Sequence, residues 1–222
     1  SQAQMLRTKK TKLVGVILPK IDSNTISREV AGISDILTKK GYQLILANTN
    51  NNIEEELKYL SLFKDNQVDG VIFIATILTK QHRDMLKEYK VPIVLLGQRL
   101  EGYPCIFQDD QKAAMTLTEQ MVKTGNKFGY ITVTDKDEAV GRKRMSGVEE
   151  ILSKNKIEFG SEYVKCGDFT LESGYEKAGE LFGEHPDIDT LICATDTMAV
   201  GAVSWLKKNG YRIPEQVQVA GM

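Results

Sequence analysis

The sequence predicts an α/β protein of two lobes, each a parallel sheet flanked by helices. Two observations carry this. Apolar, β-branched runs alternate with helical patterns along all 222 residues, with strand-like runs near 13–18, 42–48, 68–75, 91–97, 104–107, 128–134, 161–166, 190–195 and 216–220. The alternation breaks once, between Gly97 and Asp110, where two extended pieces follow one another without a helix. That stretch reads as a crossover, so a first lobe is expected over 13–104 and a second over 105–222.

Residues 1–12 stand apart from both lobes. They carry four basic side chains, Arg7, Lys9, Lys10 and Lys12, and no acidic one. Of 29 Lys and Arg, 25 lie beyond Lys12 against 30 Asp and Glu, so an arm of +4 precedes a body of −5. The asymmetry points to a polyanionic partner. Ala3-Gln4-Met5-Leu6-Arg7 offers good helix formers with an apolar step, and Thr8 to Lys12 holds no core-forming residue. A short helix and a tether to something upstream are expected.

The elements of the body follow in order. Leu13-Val14-Gly15-Val16-Ile17-Leu18-Pro19 is a buried strand ended by proline. Ile26, Val30, Ile33 and Leu37 form one apolar stripe on the first helix, with Gly41 as its stop. Asn52-Ile53-Glu54-Glu55 opens the second helix with a capping pattern, Ser173-Gly174-Tyr175-Glu176 repeats it in a later one, and Lys208-Asn209-Gly210 closes the last. The chain stops at Met222 on a strand-like end, so the second lobe reads as incomplete.

Composition narrows the function. An apolar content of 41% supports a packed core. No apolar run approaches the roughly 18 residues needed to cross a bilayer, and no signal-type stretch opens the chain, so a cytoplasmic protein without membrane contact is expected. Cys105, Cys166 and Cys193 are odd in number and widely spaced, which reads as small packing residues. His82 and His185 read as surface side chains. Neither a G-x-G-x-x-G nor a Walker pattern nor a nucleophile elbow occurs. No enzyme, cofactor or metal site is expected.

What remains is a set of polar residues at the C-terminal ends of the strands, where open α/β sheets bind ligands. After the first strand come Asp22 to Ile26, after the fourth Gln98-Arg99, and after the crossover Gln108-Asp109-Asp110. Later ends carry Arg142 and Arg144, Asp168-Phe169, and Thr195-Asp196. Taken singly, each reads as a helix cap or turn residue; the argument is their convergence. Carboxylates and a guanidinium give hydroxyls bidentate partners, and Phe169 gives a sugar-like ring an apolar face.

These residues resemble the LacI-type bacterial transcription regulators over nearly the whole chain. The carriers are Leu13 to Pro19 with Ser23-Asn24, Asn66-Gln67-Val68-Asp69-Gly70-Val71-Ile72, Val91-Pro92-Ile93-Val94-Leu95 ending in Arg99, Arg144-Met145-Ser146-Gly147, Gly167-Asp168-Phe169 with Glu172 to Tyr175, and Ala194-Thr195-Asp196 running on to Ala202. The resemblance implies a periplasmic-binding-protein-like fold. It implies an effector site between the lobes at Thr25, Ile26, Arg99, Asp109, Arg144, Phe169, Thr195 and Asp196, with Asp109 and Arg144 facing each other. Thr195 departs from the pattern, standing where many members have Asn.

The same resemblance makes 1–12 a hinge to a missing helix-turn-helix domain, with Leu6 as a minor-groove wedge and Arg7 as a groove or phosphate contact. It implies a homodimer formed through 24–40 and 79–89, operator DNA as partner, and a sugar or sugar phosphate as effector. The expected activity is repression of a carbohydrate-utilisation operon. The alternative is a solute-binding protein for sugar transport with the same fold, against which the basic arm speaks.

Overall fold

The computed structural model describes residues 10–222, so Leu6 and Arg7, expected as hinge residues, lie outside the described residues. The described residues form two compact units that divide between Gln108 and Asp109.

The first unit contains β1 (Leu13–Leu18), α1 (Asn24–Lys39), β2 (Gln43–Asn48), α2 (Ile53–Asp65), β3 (Gly70–Ile74), α3 (Lys80–Lys87), β4 (Ile93–Leu96) and β5 (Cys105–Ile106). Its sheet has the order β2-β1-β3-β4-β5, every pair parallel. Strand alternation splits the core in two. Ile17, Phe73 and Leu95 meet Leu60 and Phe63 of α2 and Leu86 of α3 on one face; Val16, Leu18 and Ile74 meet Val30 of α1 on the other. Ile26, Val30 and Ile33 of the α1 stripe pack on this face as the sequence predicts, and Gly41 takes the left-handed conformation that ends the helix, at φ +74°.

The crossover differs in one respect from the sequence expectation. Cys105–Ile106 pairs with Leu95–Leu96 and so completes the first sheet, with the units dividing after Gln108 and not at residue 104. Four residues of β4 supply an open edge, and the short β5 takes it.

The second unit contains α4 (Asp110–Met121), β6 (Phe128–Thr132), a π-helical turn (Glu138–Lys143) running into α5 (Arg144–Lys154), β7 (Val164–Cys166), α6 (Leu171–Glu184), β8 (Thr190–Cys193), α7 (Asp196–Lys208) and β9 (Gln218–Ala220). Its sheet is parallel throughout, in the order β7-β6-β8-β9. Phe128, Tyr130 and Ile131 of β6 and Leu191, Ile192 and Cys193 of β8 are buried, as fits central strands covered on both faces.

Each sheet is braced at the N-terminal ends of its strands by one carboxylate. Asp69, just before β3, accepts the backbone N–H groups of Thr11 and Lys12, just before β1, at 2.9 and 3.0 Å. Asp189, just before β8, accepts those of Asn126 and Lys127, just before β6, at 3.0 and 3.1 Å.

The two histidines differ from their surface reading. His185 is half-buried, its ring centroid 4.6 Å from that of Tyr163. His82 is 0% exposed: the capping box of α3 turns its ring inward against Phe73, and Nε2 lies 3.0 Å from Oε2 of the equally buried Glu56 of α2, off hydrogen-bond geometry. The partner lies 26 residues upstream, where local pattern gives no hint of it.

Candidate functional site

The C-terminal ends of the strands gather the polar residues in each unit. In the first, Ser23 caps α1, its Oγ accepting the Ile26 N–H. Thr25 is exposed, whereas Ile26 leans into the Val16–Leu18 cluster and is a packing residue as much as a lining one. Beyond β4, buried Gln98 donates its amide to the Thr76 carbonyl at 2.8 Å, tying the ends of β3 and β4 together. The exposed Arg99 follows directly.

The second unit holds the denser constellation. Arg144, the first residue of α5, lays Nε and Nη2 on one oxygen, Oδ1 of Asp110, at 2.8 and 2.7 Å, and Nη1 donates to the Ala194 carbonyl at 2.5 Å. The side chains are 13% and 5% exposed. One guanidinium thereby joins the starts of α4 and α5 to the end of β8, and the next residues are Thr195 and Asp196. Beneath it Tyr130 is fully buried, and burial pushes its phenol well above the ordinary tyrosine range, with Arg144 pulling weakly the other way.

Asp109, the partner expected for Arg144, does something else. Its Oδ1 accepts the Lys112 N–H at 3.1 Å and caps α4, and it faces a shallow trough with Lys112, Ala113 and Thr116. Helix phase explains the difference. Asp110 shares the buried face of α4 with Ala114 and Thr118, at i+4 and i+8, whereas Asp109 falls on the solvent side. That spacing is present in the sequence and identifies Asp110, which motif matching passed over.

The remaining helix starts are also capped from within. Thr170 accepts the Ser173 N–H at the head of α6, and Thr195 the Met198 N–H at the head of α7. The Asp196 N–H goes to the Met222 carbonyl at 2.9 Å. Asp168 accepts the Thr170 N–H and hydroxyl, which tightens the turn carrying Phe169. Phe169 is half-buried against the core of this unit. The structure therefore brings Arg144, Thr195 and Asp196 together around Asp110 and the Ala194 carbonyl, and turns Asp109 outward.

Among the described residues no group of three or more His, Cys, Asp or Glu is placed to hold a metal ion, and no helix is long and apolar enough to cross a membrane.

A protein-family profile described as periplasmic binding proteins and sugar binding domain of LacI family matches residues 11–222. The chain is 31% identical over 223 aligned residues to catabolite control protein A of Priestia megaterium, an alignment covering 99% of this chain and 67% of that protein. It is 29% identical over 199 residues to the sucrose operon repressor of Staphylococcus xylosus, covering 89% of this chain and 61% of that one. The chain thus spans about two thirds of the length of these relatives. The crystal structure of the transcription regulator CcpA of Lactococcus lactis superimposes with a TM-score of 0.86 at 32% identity, over 95% of this chain and 78% of that one. On the match over residues 11–222, the parallel two-sheet architecture and the identity to these regulators, the chain belongs to the family of periplasmic binding proteins and LacI-type sugar-binding domains.

Proposed function

We propose that this chain is the effector-binding and dimerisation core of a transcriptional repressor of carbohydrate utilisation, and that it binds a sugar or sugar phosphate. The observation that carries the reading is the 31% identity to catabolite control protein A over 99% of this chain, joined to the polar strand ends of both units. Thr25, Ile26, Arg99, Asp109, Arg144, Phe169, Thr195 and Asp196 are the proposed effector residues, to which the geometry adds Asp110. Ligand controls DNA only if it binds one conformation better than another, since that difference alone shifts the population.

In the intact protein, residues 1–12 act as the hinge, Leu6 and Arg7 contact operator DNA, and the chain acts in the cytoplasm as a homodimer. Two-fold pairing suits a regulator that reads paired half-sites. A solute-binding role in transport is the second reading, because the matching family description also covers periplasmic binding proteins.

Thermal-shift screening against sugars and sugar phosphates tests the ligand class, since a ligand at 100 times its Kd stabilises by roughly 2.7 kcal/mol. Replacing Leu6 by Ala in the intact protein is expected to weaken operator binding while leaving effector affinity unchanged; unaltered operator binding would remove the hinge assignment.

A further inference from the structure

We infer that the strand-end face of the second unit takes an uncharged polyol in preference to a phosphorylated one, and that Asp110 sets this preference by cancelling the charge of Arg144. The inference rests on the effector site proposed above and narrows its ligand.

Three features of the face carry it. The first is the state of its guanidinium. Arg144 spends its Nε and Nη2 edge on Asp110 and one Nη1 hydrogen on the Ala194 carbonyl, so the ion pair reaches a ligand as a nearly neutral unit. A phosphate ester brought there would compete with a carboxylate that is 5% exposed and already in place.

The second is the state of the helix N-termini, which are the usual seats for phosphate. Here Asp109, Thr170 and Thr195 each accept an N–H at the head of their own helix, and the Met222 carbonyl takes the Asp196 N–H. The carboxylate cap of α4 also places a negative charge where a phosphate would sit.

The third is net charge. The segments 109–113, 133–144, 167–174 and 194–199, which form the strand ends and the helix starts, contain eight Asp and Glu against five Lys and Arg. A hydroxyl suits such a face as donor to the outward carboxylates of Asp168 and Asp196 and as acceptor from the N–H groups that Arg144 has left. A phosphate has no proton to donate when fully ionised and meets repulsion from each carboxylate.

The experiment uses the 222-residue chain and its Asp110→Asn variant. Calorimetry and thermal shift follow glucose and sucrose, each beside its 6-phosphate, and inorganic phosphate alone. For each pair that binds, the plain sugar is expected to bind wild type at least about tenfold more tightly than its phosphate ester, and Asp110→Asn is expected to shrink that ratio by about tenfold, by freeing Arg144. Inorganic phosphate is expected to stabilise the variant and not the wild type.

An ester that binds wild type as tightly as its plain sugar, or phosphate that stabilises both proteins equally, overturns the inference. If no sugar of either kind binds but phosphate still separates the two proteins, the sugar reading fails and the charge assignment to Asp110 stands. Should Asp110→Asn not fold, salt decides on wild type alone. Affinity for the phosphate ester is expected to gain nothing as salt is lowered from about 0.5 M, because the paired guanidinium presents no net positive charge, whereas an ester affinity that falls steeply as salt rises shows an unneutralised Arg144 and overturns the inference.

Discussion

Arg144 rests on Asp110 and leaves Asp109 to cap a helix, so two adjacent carboxylates divide a structural and a site role between them. The division predicts unequal costs. Asp109→Ala removes a cap and is expected to lower stability by about 1 kcal/mol. Asp110→Ala strands a largely buried guanidinium and is expected to cost about 3 kcal/mol. Urea unfolding of the two variants checks the order; equal costs would mean that the ion pair contributes no more than the cap.

Glu56 and His82 are buried side by side in the first unit. Because Nδ1 of His82 accepts the Thr79 N–H at 3.2 Å, the ring proton belongs on Nε2, toward Glu56. Glu56→Ala is expected to destabilise the first unit by about 3 kcal/mol, whereas Glu56→Leu combined with His82→Phe should recover most of that loss. Chemical denaturation of the single and double variants tests the pairing.

Gly15 sits in β1 directly under the Phe63 ring, where an added Cβ would lie 2.4 Å from Cδ2. Gly15→Ala is expected to cost about 2 kcal/mol by overpacking, and adding Phe63→Leu should restore part of it. A melting-temperature comparison of the three variants with wild type measures the coupling.

The cysteines separate by burial. Cys166 is exposed, Cys105 half-buried and Cys193 buried, and burial pushes the Cys193 thiol far above its ordinary range. A thiol reagent at about pH 8 should label Cys166 first and Cys193 only as the protein unfolds. The folded state holds the Cys193 proton after the unfolded chain has released it. Its contribution is therefore complete at lower pH, and stability falls as pH rises past about 8.5. Cys193→Ala should flatten that decline in unfolding experiments.

Much of this molecule was legible because its signals are local. The stripe Ile26-Val30-Ile33-Leu37 and the stop at Gly41 lie within one helix, and the nine strand-like runs all became strands of two parallel sheets. The misreadings involve partners distant in sequence. His82 looks solvated until Glu56 is brought beside it, and Cys105–Ile106 looks like the start of a lobe until β4 offers its edge. Asp109 and Asp110 are neighbours of one residue type, and only helical phase, with Ala114 and Thr118 at i+4 and i+8, sets which of them turns inward to Arg144.

Asp69 and Asp189 hold the same place in their two sheets. Each carboxylate follows a buried aliphatic residue, Val68 or Ile188, precedes an inner strand, and fastens two consecutive amides of the strand beside it. In both sheets this fastening lies at the end of the strands opposite the polar C-terminal ends, where the first unit carries Gln98 and Arg99 and the second Asp110 and Arg144. A substitution among those polar residues therefore leaves the carboxylate that ties the strand starts untouched.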